Sequence, residues 1–315
     1  MRLLVTGGAG FIGSNFLQLA AAGELEINPT SITVLDSLTY AGNLTNIQNL
    51  IDSNAVNFIH GDICDEELVR ELVAGCDVII NFAAESHVDN SIQNATEFIR
   101  TNVLGTQTLL NACLTKGGIK FLQVSTDEVY GSIESGSWDE KCNLSPNSPY
   151  SASKAASDLI ALAMHKTHGM DVMVSRCCNN YGPRQHEEKL IPKIIKQTIA
   201  DIPLTIYGDG KNIREWIEVS DHCKALANIL VNGKAGEIYN IGSGDELDNI
   251  SVVQHILKCI PSSKSKVKFI EDRKGHDFRY SINDSKYRTF GPPNSKVFSI
   301  EINNTVQWYV TTKFN

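Results

Sequence analysis

Six stretches in the first 180 residues are apolar through their centres: LLVTG (3–7), ITVLD (32–36), VNFIHGD (56–62), DVIINFA (77–83), FLQVS (121–125) and DVMVSRC (171–177). A strand wetted on one face alternates polar with apolar residues, whereas one that is apolar throughout is covered on both faces. Helical periodicity fills the intervals near 12–22, 65–74, 91–116 and 150–168. Strands and helices in strict alternation form crossover units, which build a parallel sheet with helices on each side. The expected fold class is therefore α/β, a Rossmann-type doubly wound parallel sheet.

Beyond about residue 182 the rhythm loosens. LTIYGDG, REWIEV, EIYNIG and KVKFIE read as short strands, interleaved with helices near 187–200, 220–231 and 250–259. No Pro/Gly/Ser linker separates the two parts. Residues 1–182 are expected to form the sheet domain and 183–315 a smaller α/β lobe on its carboxyl edge, with some segments interleaved. Ligands bind at that edge in such folds.

A formal net charge of −8 over 315 residues argues against a general nucleic-acid binder, while leaving room for a local basic pocket. No apolar run reaches membrane-spanning length, and MRLLVTGG enters a strand at once, so neither a membrane span nor a secretory leader is expected. The eight cysteines show no CxxC pair and several lie in apolar segments, as reduced thiols of a cytoplasmic protein do. No metal site is expected.

VTGGAGFIGS follows the first strand and opens a helix. Gly7 allows a tight turn, Gly10 lets a pyrophosphate approach the backbone, and Gly13 lets the helix pack on the sheet, with N–H groups at the helix start facing the anion. Asp36 closes the second strand, 23 residues beyond Gly13. A carboxylate there accepts hydrogen bonds from an adenosine ribose and repels a 2′-phosphate, so the expected cofactor is NAD rather than NADP. Asp62 and Ile63 follow the third strand where an adenine would lie, and the small residues of FAAES follow the fourth.

SPYSASKAA sets Tyr150 and Lys154 at i and i+4, on one helix face. A nearby ammonium and a nicotinamide cation would favour the tyrosinate and make it a useful base. Together with the glycine turn, this resembles the extended, nucleotide-sugar branch of the short-chain dehydrogenase/reductases. VSTDEVYG (124–131) narrows the resemblance to the 4,6-dehydratases acting on nucleoside-diphosphate glucose. The likeness continues in AAESHVDNSI, NNYGPRQHEEKLIP, LTIYGDGKNIREW, EIYNIG and DRKGHDFRY.

The resemblance implies a cycle in which NAD stays tightly bound and is regenerated at each turnover. C4 is oxidised, water is eliminated across C5–C6, and the hydride returns to C6. It implies that Tyr150 is the C4-hydroxyl base, that Thr126 bonds the same hydroxyl, and that Asp127 is the acid at the C6 hydroxyl. Glu128 would be the C5 base and Lys154 would orient the nicotinamide ribose. Adjacent carboxyls in a closed site push their pKa values apart, so one can keep its proton.

The implied cofactor contacts are Gly7, Gly10, Phe11, Ile12, Gly13, Asp36, Ser37, Leu38, Thr39, Asp62, Ile63, Phe82, Ala83, Ala84, Ser86, Thr101, Tyr150, Lys154 and Asn180. Implied substrate contacts are Ser86, Thr126, Asn179, Lys189, Leu190, Ile206, Tyr207, Arg214, Asn249, Arg273 and His276, with vaguer roles for His87 and Asp277. Three departures from the family pattern are Asn90 after SHVD, Lys274 in the arginine-glycine-histidine motif, and the paired Cys177 and Cys178, read as packing.

The substrate expected is a deoxythymidine-diphosphate glucose, with a uridine-diphosphate glucose dehydratase or an epimerase as alternatives. The two acids argue against the epimerase; nothing in the sequence fixes thymine against uracil. A non-catalytic NAD(H) sensor on the same fold would have no need of Tyr150, Lys154, Thr126 and both acids together. The family's habit of pairing two helices into a four-helix interface implies a homodimer, here through 91–116 and 150–168.

Overall fold

The computed structural model describes residues 1–314. The chain runs β1 (Arg2–Thr6), α1 (Phe11–Ala21), β2 (Ser31–Asp36), α2 (Gln48–Asp52), β3 (Asn57–His60), α3 (Glu66–Ala74), β4 (Val78–Asn81), α4 (Val88–Gln93) and α5 (Thr96–Phe98). A π-helical stretch, Ile99–Gly105, leads into α6 (Thr106–Lys116), then β5 (Lys120–Thr126), α7 (Pro149–His168), β6 (Asp171–Cys177), β7 (Asn179–Tyr181) and α8 (Leu190–Ile199). The remainder is β8 (Leu204–Tyr207), β9 (Ile213–Glu218), α9 (Val219–Asn232), β10 (Ile238–Ile241), β11 (Glu246–Asp248), α10 (Asn249–Cys259), β12 (Val267–Ile270) and α11 (Phe298–Trp308).

Seven strands form one sheet in the order β10-β6-β5-β4-β1-β2-β3, every neighbouring pair parallel. This is the doubly wound sheet that the apolar strands foretell. One face is covered by α1 and α9, through Phe16, Leu17, Leu226 and Ile229; the other by α3, α6 and α7, through Val69, Leu109, Leu110 and Ala161. Apart from Ala161, such side chains each contribute roughly 1.5–3 kcal/mol on leaving water. The chain leaves this sheet after β6 and returns to it at β10, which lies parallel to β6 with Ile238 opposite Val174.

A third apolar core gathers Tyr181, Ile194, Ile195, Trp216, Val253, Phe298 and Val306 from β7, α8, β9, α10 and α11. It lies with two small sheets, β11-β9-β7 and β12-β8. The sequence pattern does not announce α11, whose residues come after a Gly-Pro-Pro stretch.

The single helix expected over 91–116 is instead broken. Asn94 leaves the helical conformation (φ −145°) and its side chain accepts from Thr96 N–H at 3.1 Å, starting a new helix. The π-helical turn that follows delivers Thr101 to the sheet's carboxyl edge. By contrast α7 is set cleanly. Ser148 caps it in a reciprocal box with Ser151, Pro149 takes the first turn, and Gly169 ends it in the left-handed region (φ 67°).

Candidate active site

Two adjoining cavities open at the carboxyl edge of the large sheet. The first runs from the β1–α1 turn across the ends of β2, β3, β4 and β5 to Cys177–Asn180. The second lies between His87–Val88, α8, β8 and residues 273–280. Ser86, Glu128, Asn179, Asn180, Gln185, Glu188 and Lys189 border both.

The turn after β1 is fixed by close approach. Gly7 sits at φ 69°, and a Cβ there would meet Ala83 N at 2.6 Å. A Cβ on Gly13 would lie 2.5 Å from Gly7 O, so the helix start nests against the turn. No side chain caps α1, leaving its first N–H groups facing the cavity as an anion site. Asp36 ties this turn to the second strand: Oδ2 accepts from Ala9 N–H and Oδ1 from Leu38 N–H, both at 2.8 Å. Burial pushes its carboxyl up and those two N–H groups draw it back.

At the end of β5, Thr126 caps a tight turn and its Oγ1 accepts from Glu128 N–H at 3.2 Å. The turn sends the two acids into unlike surroundings. Asp127 is 2% exposed, borders neither cavity, and its Oδ2 has no partner. Glu128 is half-buried and borders both cavities. Burial is the largest influence on each and raises both. Asp127 stands well above the carboxylate range, the charges of Glu128, Glu215 and Cys177 adding to its burial and Arg214 opposing. For Glu128 the cations Lys189, Arg214 and Arg273 oppose the rise. Burial thus raises Asp127 with little to offset it, while three cations temper the rise at Glu128.

Tyr150 opens α7, its ring edge-on to Phe98 at 6.3 Å between centroids. Burial raises its phenol well above the usual value, and Glu128, Tyr40 and Asp127 push the same way, against the Thr126 hydroxyl. Lys154 Nζ donates to Val124 O at 2.7 Å. Burial lowers that ammonium to about 8, with Asp158 opposing. Burial first, and then those neighbouring charges, raise the Tyr150 phenol in the protein alone.

The second cavity draws four Lys and Arg side chains of an acidic protein, Lys189, Lys193, Arg214 and Arg273, into a lining that also holds Glu128, Glu188 and Asp277. Lys189 Nζ donates to Ser86 O at 2.8 Å, Arg214 donates to Asp277 O at 2.9 Å, and Arg273 pairs with Asp89 at 2.6 Å. Tyr207 lies under Arg273, 5.2 Å from ring centre to guanidinium, and Arg214 lies 4.4 Å over the Tyr280 ring. Arginine forks of this kind suit a diphosphate.

The family described as GDP-mannose 4,6 dehydratase matches residues 4–315. The chain belongs to that family. A dTDP-glucose 4,6-dehydratase of Streptomyces niveus is 50% identical over 311 residues, covering 98% of this chain and 93% of the relative. Among solved structures, DesIV of Streptomyces venezuelae, a dTDP-glucose 4,6-dehydratase with NAD and TYD bound, superposes with TM-score 0.96 at 50% identity, covering 99% of this chain and 98% of that one. A dTDP-glucose 4,6-dehydratase of Bacillus anthracis in complex with NAD gives TM-score 0.90 at 43% identity, covering 99% and 97%.

In this family member the sequence-derived contacts fall together. Gly7, Gly10, Phe11, Ile12, Gly13, Asp36, Ser37, Thr39, Asp62, Ile63, Phe82, Ala83, Ala84, Ser86, Thr101, Tyr150, Lys154 and Asn180 line the first cavity. Leu38 stands apart from that lining, in a left-handed turn (φ 51°). Thr126 lines the first cavity, and Ser86, Asn179, Lys189, Leu190, Ile206, Tyr207, Arg214, Asn249, Arg273 and His276 line the second. Sequence reasoning missed Lys193, although it follows Lys189 by one turn of α8 and also lines the second cavity. It missed Asn102, which clamps Glu85 through N–H and C=O at 2.9 and 3.0 Å and reaches Ser153 at 2.8 Å. It missed His222, which no local motif marks.

Lys154 generates a prediction with a definite sign. Its folded pKa lies below the unfolded 10.5, so the folded state binds fewer protons between about pH 8 and 10.5, and stability rises with pH across that window. The burial penalty, of order 3 kcal/mol, is fully felt at neutral pH. Lys154→Met is expected to raise the denaturant midpoint at pH 7, with its advantage over wild type shrinking toward pH 10.5. Equilibrium urea titrations across that range measure it; a variant less stable than wild type at every pH would contradict the assignment.

Proposed function

We propose that this chain is an NAD-dependent 4,6-dehydratase of dTDP-glucose, giving the 4-keto-6-deoxy sugar nucleotide and water. The observation that carries the chemistry is the unequal pair at the end of β5: Asp127 buried with Oδ2 unpartnered, Glu128 with three cations acting on it. Elimination across C5–C6 needs one proton donor and one proton acceptor close together, and this pair supplies both charge states at one pH. The kinship with dTDP-glucose dehydratases at about half identity over the whole chain supports the substrate class.

The residues present fit a dinucleotide: an uncapped helix start behind a turn that a Cβ would block, and Asp36 at the end of β2. When bound, NAD supplies a nicotinamide that accepts and returns a hydride and whose positive charge favours the Tyr150 phenolate. Tyr150 takes the C4-hydroxyl proton, with Thr126 Oγ1 orienting that hydroxyl. Glu128 removes the C5 proton and later restores it. Asp127 delivers its proton to the leaving C6 hydroxyl from within the wall. Lys189, Arg214 and Arg273 hold the diphosphate in the second cavity, and the residues around the third core form the substrate-binding lobe.

We also read the protein as a cytoplasmic homodimer. Ala152, Ala156, Leu159 and Ala163 leave an uncharged stripe along α7, with Leu159 57% exposed, while Ile99 and Leu104 of the preceding helical segment are 57% and 52% exposed. Apolar exposure of this kind marks an interface. All eight cysteines are free, as in a reducing compartment. Among the described residues no helix is long and apolar enough to cross a membrane.

Two experiments test these readings. Purified protein incubated separately with dTDP-glucose and UDP-glucose is expected to form a 4-keto product with no net NADH, faster from dTDP-glucose. Asp127→Asn and Glu128→Gln are each expected to lower kcat by about 10²–10⁴-fold. Only Glu128→Gln should also abolish exchange of the C5 hydrogen with solvent. Exchange at the wild-type rate in Glu128→Gln, or steady accumulation of NADH, would refute the mechanism. For assembly, sedimentation should show a wild-type dimer that Leu159→Glu converts to monomer; a monomeric wild type would refute the dimer.

A further inference from the structure

Asp89 sits in the first turn of α4, beside the second cavity, and lines neither cavity itself. Its carboxylate meets the loop after β12, 184 residues further along the chain. There Arg273 Nε lies 2.6 Å from Oδ1, and Nη2 donates to Oδ2 at 3.1 Å. Tyr207, at the end of β8, donates its hydroxyl to the same Oδ2 at 3.2 Å. The Tyr207 ring lies against the guanidinium, 5.2 Å from centroid to carbon, and His276 meets that ring edge-on at 6.4 Å.

The carboxylate therefore takes the Nε–Nη2 edge of the guanidinium and the ring takes one face. Nη1 and the outer N–H of Nη2 stay clear of both, on a side chain that lines the second cavity. A free arginine loses rotamer freedom when it closes on an anion, and one already held does not. Side-chain exposures of 23% and 27% make this a half-buried pair, which contributes little to stability. Its consequence is orientation, because a planar fork matches phosphate oxygens only from a set direction. Lys189 and Arg214 are steadied by the backbone oxygens of Ser86 and Asp277, whereas Arg273 depends on a carboxylate from α4.

We propose that Asp89 is a positioning residue for the diphosphate: from outside the cavity it aims the outer edge of Arg273 at the phosphate oxygens. This role rests on the reading of Arg273 as a diphosphate ligand. Asp89 also repels a diphosphate directly, so removing its charge has two opposed effects on affinity. A double-mutant cycle separates them, because the direct repulsion is the same with or without Arg273 and cancels in the comparison.

Binding of dTDP to the NAD-loaded protein is measured by calorimetry for wild type, Arg273→Ala, Asp89→Asn and the double variant. Asp89→Asn keeps the shape of the side chain but offers the guanidinium one acceptor in place of two. Arg273→Ala is expected to raise Kd about 100-fold when Asp89 is present, and no more than about tenfold in the Asp89→Asn background. Asp89→Ala in place of Asp89→Asn should give the same contrast. Equal penalties in the two backgrounds, or a larger one without the carboxylate, would overturn the proposal, as would a wild type that does not bind dTDP. Turnover of dTDP-glucose by wild type is followed in parallel. Unequal penalties without turnover would sink the dehydratase reading and leave Asp89 its role, while turnover with equal penalties would do the reverse.

Discussion

Burial raises both carboxyl groups at the end of β5, and the charge of Glu128 raises Asp127 further. The structure around them sets the two apart. The parallel sheet contributes by direction: all its strands deliver their carboxyl ends, and so their chemistry-bearing residues, to one edge. Within that edge the capped turn at Thr126 points one acid into the wall and the other into the cavity. The cations that favour ionised Glu128 come from elements distant in the sequence, Lys189 at the start of α8, Arg214 in β9 and Arg273 in the loop after β12.

Beneath the turn a buried polar network keeps its base rigid. Arg176 Nε donates to Asp158 Oδ2 at 2.9 Å and its Nη1 to Tyr130 Oη at 2.9 Å. Tyr130 in turn donates to Asn240 at 2.9 Å, and Ser125 Oγ donates to Asp158 at 3.0 Å. A buried pair of this kind contributes little net stability over an apolar substitute, while loss of one partner is costly. Its effect here is positional. It joins β5, α7, β6 and β10 directly below the residues that must not shift, and Asp158 also faces the Lys154 ammonium one turn away on α7.

Much of this was legible in the sequence for physical reasons. Strands apolar on both faces admit only a covered parallel sheet, and the Gly7 turn, Asp36, and the Tyr150–Lys154 spacing are local patterns that hold in three dimensions. The break in the helix over 91–116 was not legible, because Asn94 ends one helix through its own side-chain turn while the apolar periodicity continues past it. Spacing brings Lys154 to the same helix face as Tyr150 but says nothing of Val124 O, which takes the ammonium. His222 and Asn102 stayed hidden for a related reason. Each acts through partners far along the chain, Asn180 for one and Glu85 and Ser153 for the other, and only the fold brings those together.

The central claim is that Asp127 keeps its proton at neutral pH beside an ionisable Glu128. The infrared difference spectrum of wild type minus Asp127→Asn, recorded in the pH range where solvated carboxyls are fully ionised, reads this directly. A protonated-carboxyl C=O band lost in the variant is the result predicted. A wild-type spectrum in which Asp127 contributes only carboxylate bands at pH 7 would contradict the division of labour between the two acids.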